Sequence, residues 1–277
     1  MSGIITLLTD FGTADYYVSA IKGVILNINP KAILVDISHQ VQPQNIAQAA
    51  FLLDSTWRYF PQGTIHLVVV DPGVGSQRHA IVLEHQSTFF IAPDNGVLSY
   101  VLADEKQPAH YAPSNLPKLR KLGTGFKAIS LSNRRFWRPS VSATFHGRDI
   151  LAPVAAHLSL GVPIEEFGKP VSKLLSFPVP RPHRSQDNLV GHIIHIDSFG
   201  NLISDIHSAD LPAGDLCIEV SGQHIDGLVQ YYAQKDELVA LIGSNDRLEI
   251  AQHNGSAAAF TGAGLGDEIT VKLRTHV

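Results

Sequence analysis

Residues 66–78 hold the side chains that are best placed to do chemistry. The segment reads His-Leu-Val-Val-Val-Asp-Pro-Gly-Val-Gly-Ser-Gln-Arg, so Asp71 ends an apolar run and Arg78 lies beyond a proline-glycine turn. An apolar run without alternation is typical of a strand buried on both faces of a parallel sheet. Ligands of open α/β sheets bind beyond the carboxyl ends of the strands. An acid and a cation there could serve a reaction; the alternative is that Asp71 caps a turn and Arg78 is solvated.

Two further segments of the first half offer polar side chains at similar positions. Asp10 ends the first predicted strand, and if that strand lies near the one before Asp71, the two carboxylates share one edge of the sheet. Such a pair suits a ribose diol, a metal or a cationic substrate, although each acid could equally cap its own turn. His146 lies in Thr-Phe-His-Gly-Arg-Asp, just before a predicted helix, where backbone N–H groups point outward. A single histidine is more often structural or exposed than catalytic.

The last third of the chain contributes residues in turns between predicted strands. Asp197 and Asn201 flank Ser-Phe-Gly, and an asparagine side chain offers a donor and an acceptor together, which matches the edge of an adenine ring. A second turn begins at Ser244 and leads into Glu249, and Asn254 follows. Taken alone, each is better explained as an ordinary hairpin turn. The sequence has no Gly-x-Gly-x-x-Gly, no phosphate loop and no nucleophile elbow.

The elements that must position the first-half residues alternate between strand and helix, an order that indicates βαβ units. We therefore predict an N-terminal α/β domain with a mostly parallel central sheet flanked by helices. Residues 93–96 should cap a short helix through Leu102, and 105–140 should form a surface loop or lid. The predicted strands are 4–9, 32–37, 65–70, 80–84 and 88–92, and the predicted helices are 18–28, 45–59 and 150–160.

A proline-rich, polar segment divides the chain. Residues 178–188 form the predicted linker between an α/β domain at 1–177 and a second domain at 189–277. Beyond this linker, short strands with turn signals replace the helical periodicity, which predicts a smaller all-β, barrel- or sandwich-like C-terminal domain. Its predicted strands are 189–196, 201–206, 215–221, 238–243, 247–252 and 268–273.

The composition limits the class of function. The 277 residues carry a net charge of −4 with a pI near 6.4, so no basic field favours nucleic acid. Cys217 is the only cysteine, which excludes a disulfide framework and a cysteine-ligated metal cluster. No apolar run reaches membrane-spanning length, and the N-terminus lacks a signal-peptide pattern. We expect a cytoplasmic protein without membrane or nucleic-acid partners.

Several short motifs occur in order along nearly the whole chain. They are Thr-Asp-Phe-Gly at 9–12, Asp-Pro-Gly-Val-Gly at 71–75, Pro-Asp-Asn-Gly at 93–96, Thr-Phe-His-Gly-Arg-Asp at 144–149, Phe-Gly-Asn at 199–201 and Leu-Glu-Ile-Ala at 248–251. Each is weak alone, but together they resemble the S-adenosyl-L-methionine (SAM) hydrolases, or SAM hydroxide adenosyltransferases, which are related to fluorinases and chlorinases. The resemblance implies an enzyme in which water, as incipient hydroxide, displaces L-methionine from the 5′ carbon and leaves adenosine. It implies no metal or other cofactor.

The resemblance also implies a role for each candidate. The family's Asp-Arg-His set falls on Asp71, Arg78 and His146, which would activate the attacking water; whether Asp71 or His146 takes its proton stays open. Asp10 would bind the ribose. The second domain would hold the rest of the substrate, with Asn201 at the adenine, Asp197 at the ammonium group, Ser244 at the carboxylate, and Glu249 and Asn254 along the remaining nucleoside site.

The resemblance further implies a homotrimer with sites between the first domain of one subunit and the second domain of its neighbour. The halogenating relatives carry Tyr at the position of Asp71 and Ser at the position of Gly147. An anionic Asp71 repels a halide but can orient a water, which favours hydroxide transfer.

Two alternative functions stay open. The first is a metal-dependent phosphatase or nucleotidase with Asp10, His39, Asp71 and His146 as ligands. The second is a sensor that binds adenosine or SAM without turnover.

Overall fold

The computed structural model describes residues 3–103 and 116–274, which fall into two compact units. Unit 1 comprises 3–103 and 116–177, and unit 2 comprises 178–274. Within these described ranges, no helix is long and apolar enough to cross a membrane.

Unit 1 is built on a mixed seven-stranded sheet in the order β2-β1-β3-β5-β4-β7-β8, and β6 pairs with β9 in a separate ribbon. β3, which leads to Asp71, is buried along its whole length, as its apolar run predicts. The strands are β1 (Ile4–Thr9), β2 (Ile33–Ser38), β3 (Ile65–Val69), β4 (Ala80–His85), β5 (Thr88–Pro93), β6 (Lys118–Lys121), β7 (Phe126–Leu131), β8 (Gly168–Val171) and β9 (Lys173–Ser176).

The prediction of a mostly parallel sheet is wrong for one half of it. β2, β1, β3 and β5 pair in parallel, whereas β5, β4, β7 and β8 pair antiparallel. Only Gln86 and Ser87 separate β4 from β5, and both have positive φ angles of 50° and 57°. A two-residue turn of that kind joins antiparallel strands, because a parallel pair needs a crossover of a dozen or more residues.

The helices of unit 1 are few and pack on the parallel half of the sheet. They are α1 (Tyr17–Ile28), α2 (Ile46–Trp57) and α3 (Ala152–Ser159). α1 and α3 bury apolar residues with one face of β1 and β3, and α2 does so with the other face. The prediction of a sheet flanked by helices therefore fits only this half.

Two local predictions for unit 1 are also wrong. Residues 94–102 form bends and turns instead of a capped helix, and the Asn95 side chain accepts from Val97 N and donates to Val70 O there. The predicted loop or lid at 105–140 contains β7, an interior strand of the sheet. Residues 105–115 of that prediction lie outside the described residues.

Unit 2 is a nearly closed antiparallel eight-stranded sheet around one apolar core. The order is β14-β13-β17-β11-β12-β16-β15, with β10 also paired to β11, and the end strands β14 and β15 lie close together. The strand β10 lies inside the segment predicted as a linker. The elements are β10 (His183–Ser185), β11 (Asn188–Ile196), β12 (Leu202–His207), β13 (Leu216–Val220), β14 (Gln223–Asp226), β15 (Leu238–Ile242), β16 (Arg247–Gln252), α4 (Ala257–Thr261) and β17 (Glu268–Leu273).

Candidate active site

Asp71 and Arg78 form a bidentate ion pair just beyond the end of β3. Arg78 Nε donates to Asp71 Oδ1 at 2.7 Å, and Arg78 Nη2 donates to Asp71 Oδ2. The two side chains are only 6% and 9% exposed. The turn between them is closed by hydrogen bonds from Val74 N to Asp71 O and from Ser76 N to Gly73 O, which return the arginine to the strand end. Paired N–H groups on both carboxylate oxygens fix the carboxylate plane as well as its position.

His146 is the third member of this cluster. Its Nδ1 lies 3.4 Å from Arg78 Nη2. Because a guanidinium can only donate, Nδ1 is the acceptor in this contact, so the neutral ring carries its proton on Nε2. Burial lowers the pKa of His146, as does Arg78, and Asp71 and Asp149 oppose them only in part. The ring is therefore neutral at pH 7.

Asp149 anchors the segment that carries His146. Its carboxylate is fully buried and accepts from Arg148 Nε and Nη2, from Arg138 Nη1 and from Ser142 N, at 2.7–3.0 Å. Burial alone would raise the pKa of Asp149, but these hydrogen bonds from Arg148, Ser142 N and Arg138 lower it below its ordinary value. From the sequence, Asp149 belongs to a motif without a predicted role, and Arg138 lies in the predicted surface loop or lid at 105–140.

The chain turns into α3 through a π-helical turn, Gly147–Leu151, with His146 immediately before it. Gly147 packs directly on β3, since a Cβ atom at this position would lie 2.7 Å from Val69 Cγ1. Such π-helical turns are frequent at functional sites. The strand that presents Asp71 thus also supports the residue next to His146.

Gly75 fixes the distance between the Asp71–Arg78 turn and the His146 segment. Its φ angle is +80°, and a Cβ atom there would overlap the carbonyl oxygen of Ala143. Gly73 has no such constraint, because its Cβ position lies 3.5 Å or more from Ser76 Oγ and the Arg78 side chain.

We expect Gly75→Ala to lower the turnover of the reaction proposed below by about tenfold or more. The added methyl group forces a conformation that L residues disfavour and separates two backbone segments that must stay close. Gly73→Ala is the matched control, with an expected change of less than about threefold. Steady-state kinetics on both variants checks this, and equal losses in the two would contradict it.

Asp10 follows β1, the parallel neighbour of β3, with Thr9 paired to Val69. Asp10 and Asp71 thus lie after adjacent strands. Asp10 Oδ2 accepts from Gln44 N at 2.8 Å, and Gln44 holds a φ angle of +67° to make this contact. Strained backbone of this kind persists where surrounding contacts hold it.

The residue before Asp10 is held by a buried histidine, His39, which directly follows β2. Thr9 Oγ1 lies 2.9 Å from His39 Nδ1, and His39 O accepts from Gly12 N at 2.7 Å. His39 Nε2 faces Asp36 Oδ1 at 3.0 Å. His39 therefore stabilises the Asp10 turn.

The four residues named as possible metal ligands are not gathered around one point. His39 contacts the Asp10 turn, whereas Asp71 and His146 both face the Arg78 guanidinium, which is a cation. Within 3–103 and 116–274, no group of three or more His, Cys, Asp or Glu side chains is arranged to hold a metal.

In unit 2, Asp197 and Asn201 hold one hairpin turn together. Asp197 Oδ1 accepts from Phe199 N and Asn201 N, both at 2.9 Å, and Asp197 Oδ2 accepts from Asn201 Nδ2 at 3.0 Å. These bonds form an Asx turn, the ordinary hairpin turn that the segment, taken alone, predicts. Because Asn201 Nδ2 donates to Asp197 Oδ2, Oδ1 is the acceptor end of the Asn201 amide.

Glu249 lies near this turn on β16, paired with Ile203 of β12. Its carboxyl group is buried and accepts from the Tyr232 hydroxyl at 2.9 Å. Burial raises the pKa of Glu249, the Tyr232 hydrogen bond lowers it in part, and Asp197 raises it again. Burial and Glu249 raise the pKa of Tyr232 to about 12. Tyr232 was missed because no motif or periodicity marks it.

The last two candidates lie in turns at either end of β16. Ser244 belongs to the turn between β15 and β16, and Asn254 follows β16 with an exposed side chain and a φ angle of +53°. A Cβ atom at Gly243 would overlap Glu249 Oε2, so the Glu249 carboxyl group reaches the turn that contains Ser244. In the described part of the chain, no hydrogen bond or ion pair joins the Asn254 side chain to the other candidates.

Two family models match the chain. The model described as the SAM hydroxide adenosyltransferase N-terminal domain matches residues 5–168, and the C-terminal domain model matches residues 191–270. A protein from Salinispora tropica named (R)-S-adenosyl-L-methionine hydrolase is 34% identical over 96% of this chain and 97% of its own length. One of the same name from Thermus thermophilus is also 34% identical, over 96% and 97%.

More distant similarity extends to a fluorinase from an Actinoplanes species, which is 28% identical over 75% of this chain and 73% of its own. Among solved structures, an uncharacterised conserved protein from Thermotoga maritima superposes with a TM-score of 0.83 at 32% identity. The superposition covers 97% of this chain and 99% of that one.

Proposed function

Because this chain belongs to the SAM hydroxide adenosyltransferase family, we infer that it is an enzyme that hydrolyses SAM to adenosine and L-methionine. The observation that carries this function is the 31–34% identity, over nearly the whole chain, to four relatives named SAM hydrolase. The substrate supplies its own activation, since a sulfonium leaves as a neutral thioether and needs no acid. The difficulty is the nucleophile, because bulk water has a pKa of about 15.7.

We propose that Asp71, Arg78 and His146 activate this water. Arg78 occupies one acceptor site on each Asp71 oxygen, and a carboxylate offers about four such sites in all, so Asp71 retains capacity to accept from a water. His146 Nδ1 faces Arg78, so its Nε2–H is a donor. These contacts support Asp71 as the proton acceptor, with His146 orienting the water and Arg78 stabilising negative charge.

The reaction then balances in one displacement. The water oxygen forms a bond to the 5′ carbon, the carbon–sulfur bond breaks, its electron pair neutralises the sulfonium, and the water proton passes to Asp71. Aligning water with the carbon–sulfur bond supplies part of the roughly 7–11 kcal/mol that orientation contributes in favourable cases. The negative charge of Asp71 disfavours a halide at the same position.

We propose that Asp10 binds the ribose and that Asp197, Asn201, Ser244, Glu249 and Asn254 bind the adenine and amino-acid ends. The fixed orientation of the Asn201 amide, which donates to Asp197, supports an adenine contact in which its oxygen accepts and its second N–H donates.

Chromatography of products after incubation with SAM tests the function. We expect equimolar adenosine and L-methionine, and the same rate after exhaustive chelation. Binding of SAM without product would instead indicate a sensor. Loss of activity on chelation and its recovery with added metal would favour the metal-dependent phosphatase or nucleotidase.

We also propose a homotrimer in which unit 1 of one subunit and unit 2 of a neighbour complete each site. We expect light scattering to give three times the 30.0 kDa chain mass. Mixing subunits that carry Asp71→Asn with subunits that carry Asn201→Ala should then restore part of the activity. No recovery in verified mixed trimers would contradict the shared site.

A further inference from the structure

The turn that leads into β16 contains two buried polar atoms without hydrogen-bond partners. Arg247 is only 5% exposed, and its Nη1 has no partner among the described residues. Asn245 Oδ1 is likewise buried and without a partner there. Buried polar atoms are nearly always satisfied in proteins, and a buried charge is usually paired, so both atoms retain the capacity to pair with groups of a ligand.

Arg247 also differs in its charge surroundings from other cations of unit 2. Lys235, Lys272 and Arg274 lie 3.1–3.9 Å from acidic side chains, whereas no ion pair to Arg247 occurs in the described chain. The adjacent Asp246 accepts from Ser208 Oγ and is mostly exposed. Arg247 pairs across the sheet with His207. Burial, Arg247 and Arg181 lower the pKa of His207, and Asp210 and Asp246 oppose them in part.

The turn itself is compact. Gly243 N donates to Arg247 O at 2.9 Å, and Asp246 N donates to Gly243 O at 3.0 Å, so Ser244, Asn245 and Arg247 belong to one closed turn. A ligand that satisfies both atoms needs one group that accepts from the Arg247 guanidinium and another that donates to the Asn245 amide oxygen. A zwitterionic α-amino acid supplies both within one small fragment, the carboxylate for the first and the ammonium group for the second.

We propose that Arg247 binds the carboxylate, and Asn245 the ammonium group, of the amino-acid end of the substrate. The proposal rests on the proposed function and adds these two residues to the candidates named above. It makes Arg247 a specificity-determining residue, because an adenosyl sulfonium without the carboxylate leaves the guanidinium unpaired.

The test combines Arg247→Gln with a truncated substrate. SAM is compared with decarboxylated SAM, which keeps the sulfonium and the amine. For Arg247→Gln we expect the KM for SAM to rise about 10- to 100-fold, the range for a lost hydrogen bond to a charged group, with kcat nearly unchanged. The KM for decarboxylated SAM should change less than about twofold. Arg184→Gln, an exposed arginine on β10, is the matched control.

Equal effects on both substrates, or no effect on either, would overturn the proposal. If wild-type protein forms no adenosine, the proposed function fails, and calorimetry with L-methionine and 3-(methylthio)propylamine makes the same comparison without turnover. Wild type should then prefer L-methionine and Arg247→Gln should lose that preference; no preference in wild type overturns the proposal. Should Arg247→Gln not fold, Arg247→Lys, which keeps the charge but not the two-pronged geometry, should raise KM for SAM selectively.

Discussion

Asp71→Asn is expected to lower kcat for SAM hydrolysis by about 100-fold or more, with a much smaller change in KM. Asparagine keeps the shape of the side chain but removes the negative charge and one of the two acceptor oxygens that Arg78 holds. A positioned proton acceptor contributes roughly 10²–10⁴ in rate. An effect on kcat without a matching effect on KM would mark an interaction made in the transition state.

The comparison needs a fold control, because Asp71 is buried and paired. Glu165→Gln removes an acid from an exposed ion pair with Lys127 in the same unit, and we expect wild-type kinetics from it. Thermal unfolding of both variants establishes that they are folded at the assay temperature. A folded Asp71→Asn enzyme with more than about a third of wild-type kcat would contradict Asp71 as proton acceptor.

Asp149→Asn is expected to destabilise the protein by about 2–3 kcal/mol, because it weakens hydrogen bonds to a buried charged group whose arginine partners are themselves partly exposed. The fully buried carboxylate receives hydrogen bonds from two arginines and a backbone amide, and asparagine can replace only part of them. Urea unfolding at pH 7 measures the change. Activity should fall as well, because the bonds from Ser142 and Arg148 hold the segment that carries His146.

The pH dependence of this loss has a definite sign. The pKa of Asp149 is lowered in the folded protein, so its contribution is fully present above the unfolded value of about 3.9 and is lost as the pH falls below it. The difference in the free energy of unfolding between wild type and Asp149→Asn should therefore become smaller below about pH 4. Asp54→Asn, which removes a surface pair with Arg58, should cost less than about 1 kcal/mol. Similar losses for Asp54→Asn and Asp149→Asn would contradict the anchoring role.

The sequence predicted those strands whose own residues show a clear hydrophobic pattern. The buried run before Asp71 predicted β3, and short alternating runs bounded by turns predicted most strands of unit 2. The antiparallel half of the unit 1 sheet was not predicted, because the β4–β5 hairpin turns on Gln86 and Ser87 instead of the Asn-Gly or Gly pairs that usually mark such turns. Its backbone conformation matches such a turn, but its residue types do not.

The sequence did not predict the contacts between side chains that lie far apart along the chain. Motif order drew attention to Asp71, Arg78 and His146, but their spacing gives neither the 3.4 Å approach of Arg78 to His146 nor the tautomer that follows from it. Arg138 was predicted only as part of a surface loop or lid, because nothing in the sequence pairs it with Asp149, which lies eleven residues further on. Tyr232 and Glu249 meet only through the fold of unit 2. Side-chain pairing of this kind depends on tertiary structure, and residue type alone does not specify it.

The contact between Gly147 and Val69 links the chemistry of the site to its evolutionary history. Any side chain at position 147 must displace a β-branched residue on a strand that is buried on both faces. A descendant that acquires a larger residue there first passes through an overpacked core, and one that first shrinks Val69 passes through a cavity. Either intermediate is less stable than its ancestor. A larger residue at position 147 therefore requires a simultaneous change at Val69 or a protein that is stable enough to tolerate the intermediate. The packing of Gly147 on β3 therefore adds a stability cost to any change of residue beside the nucleophile.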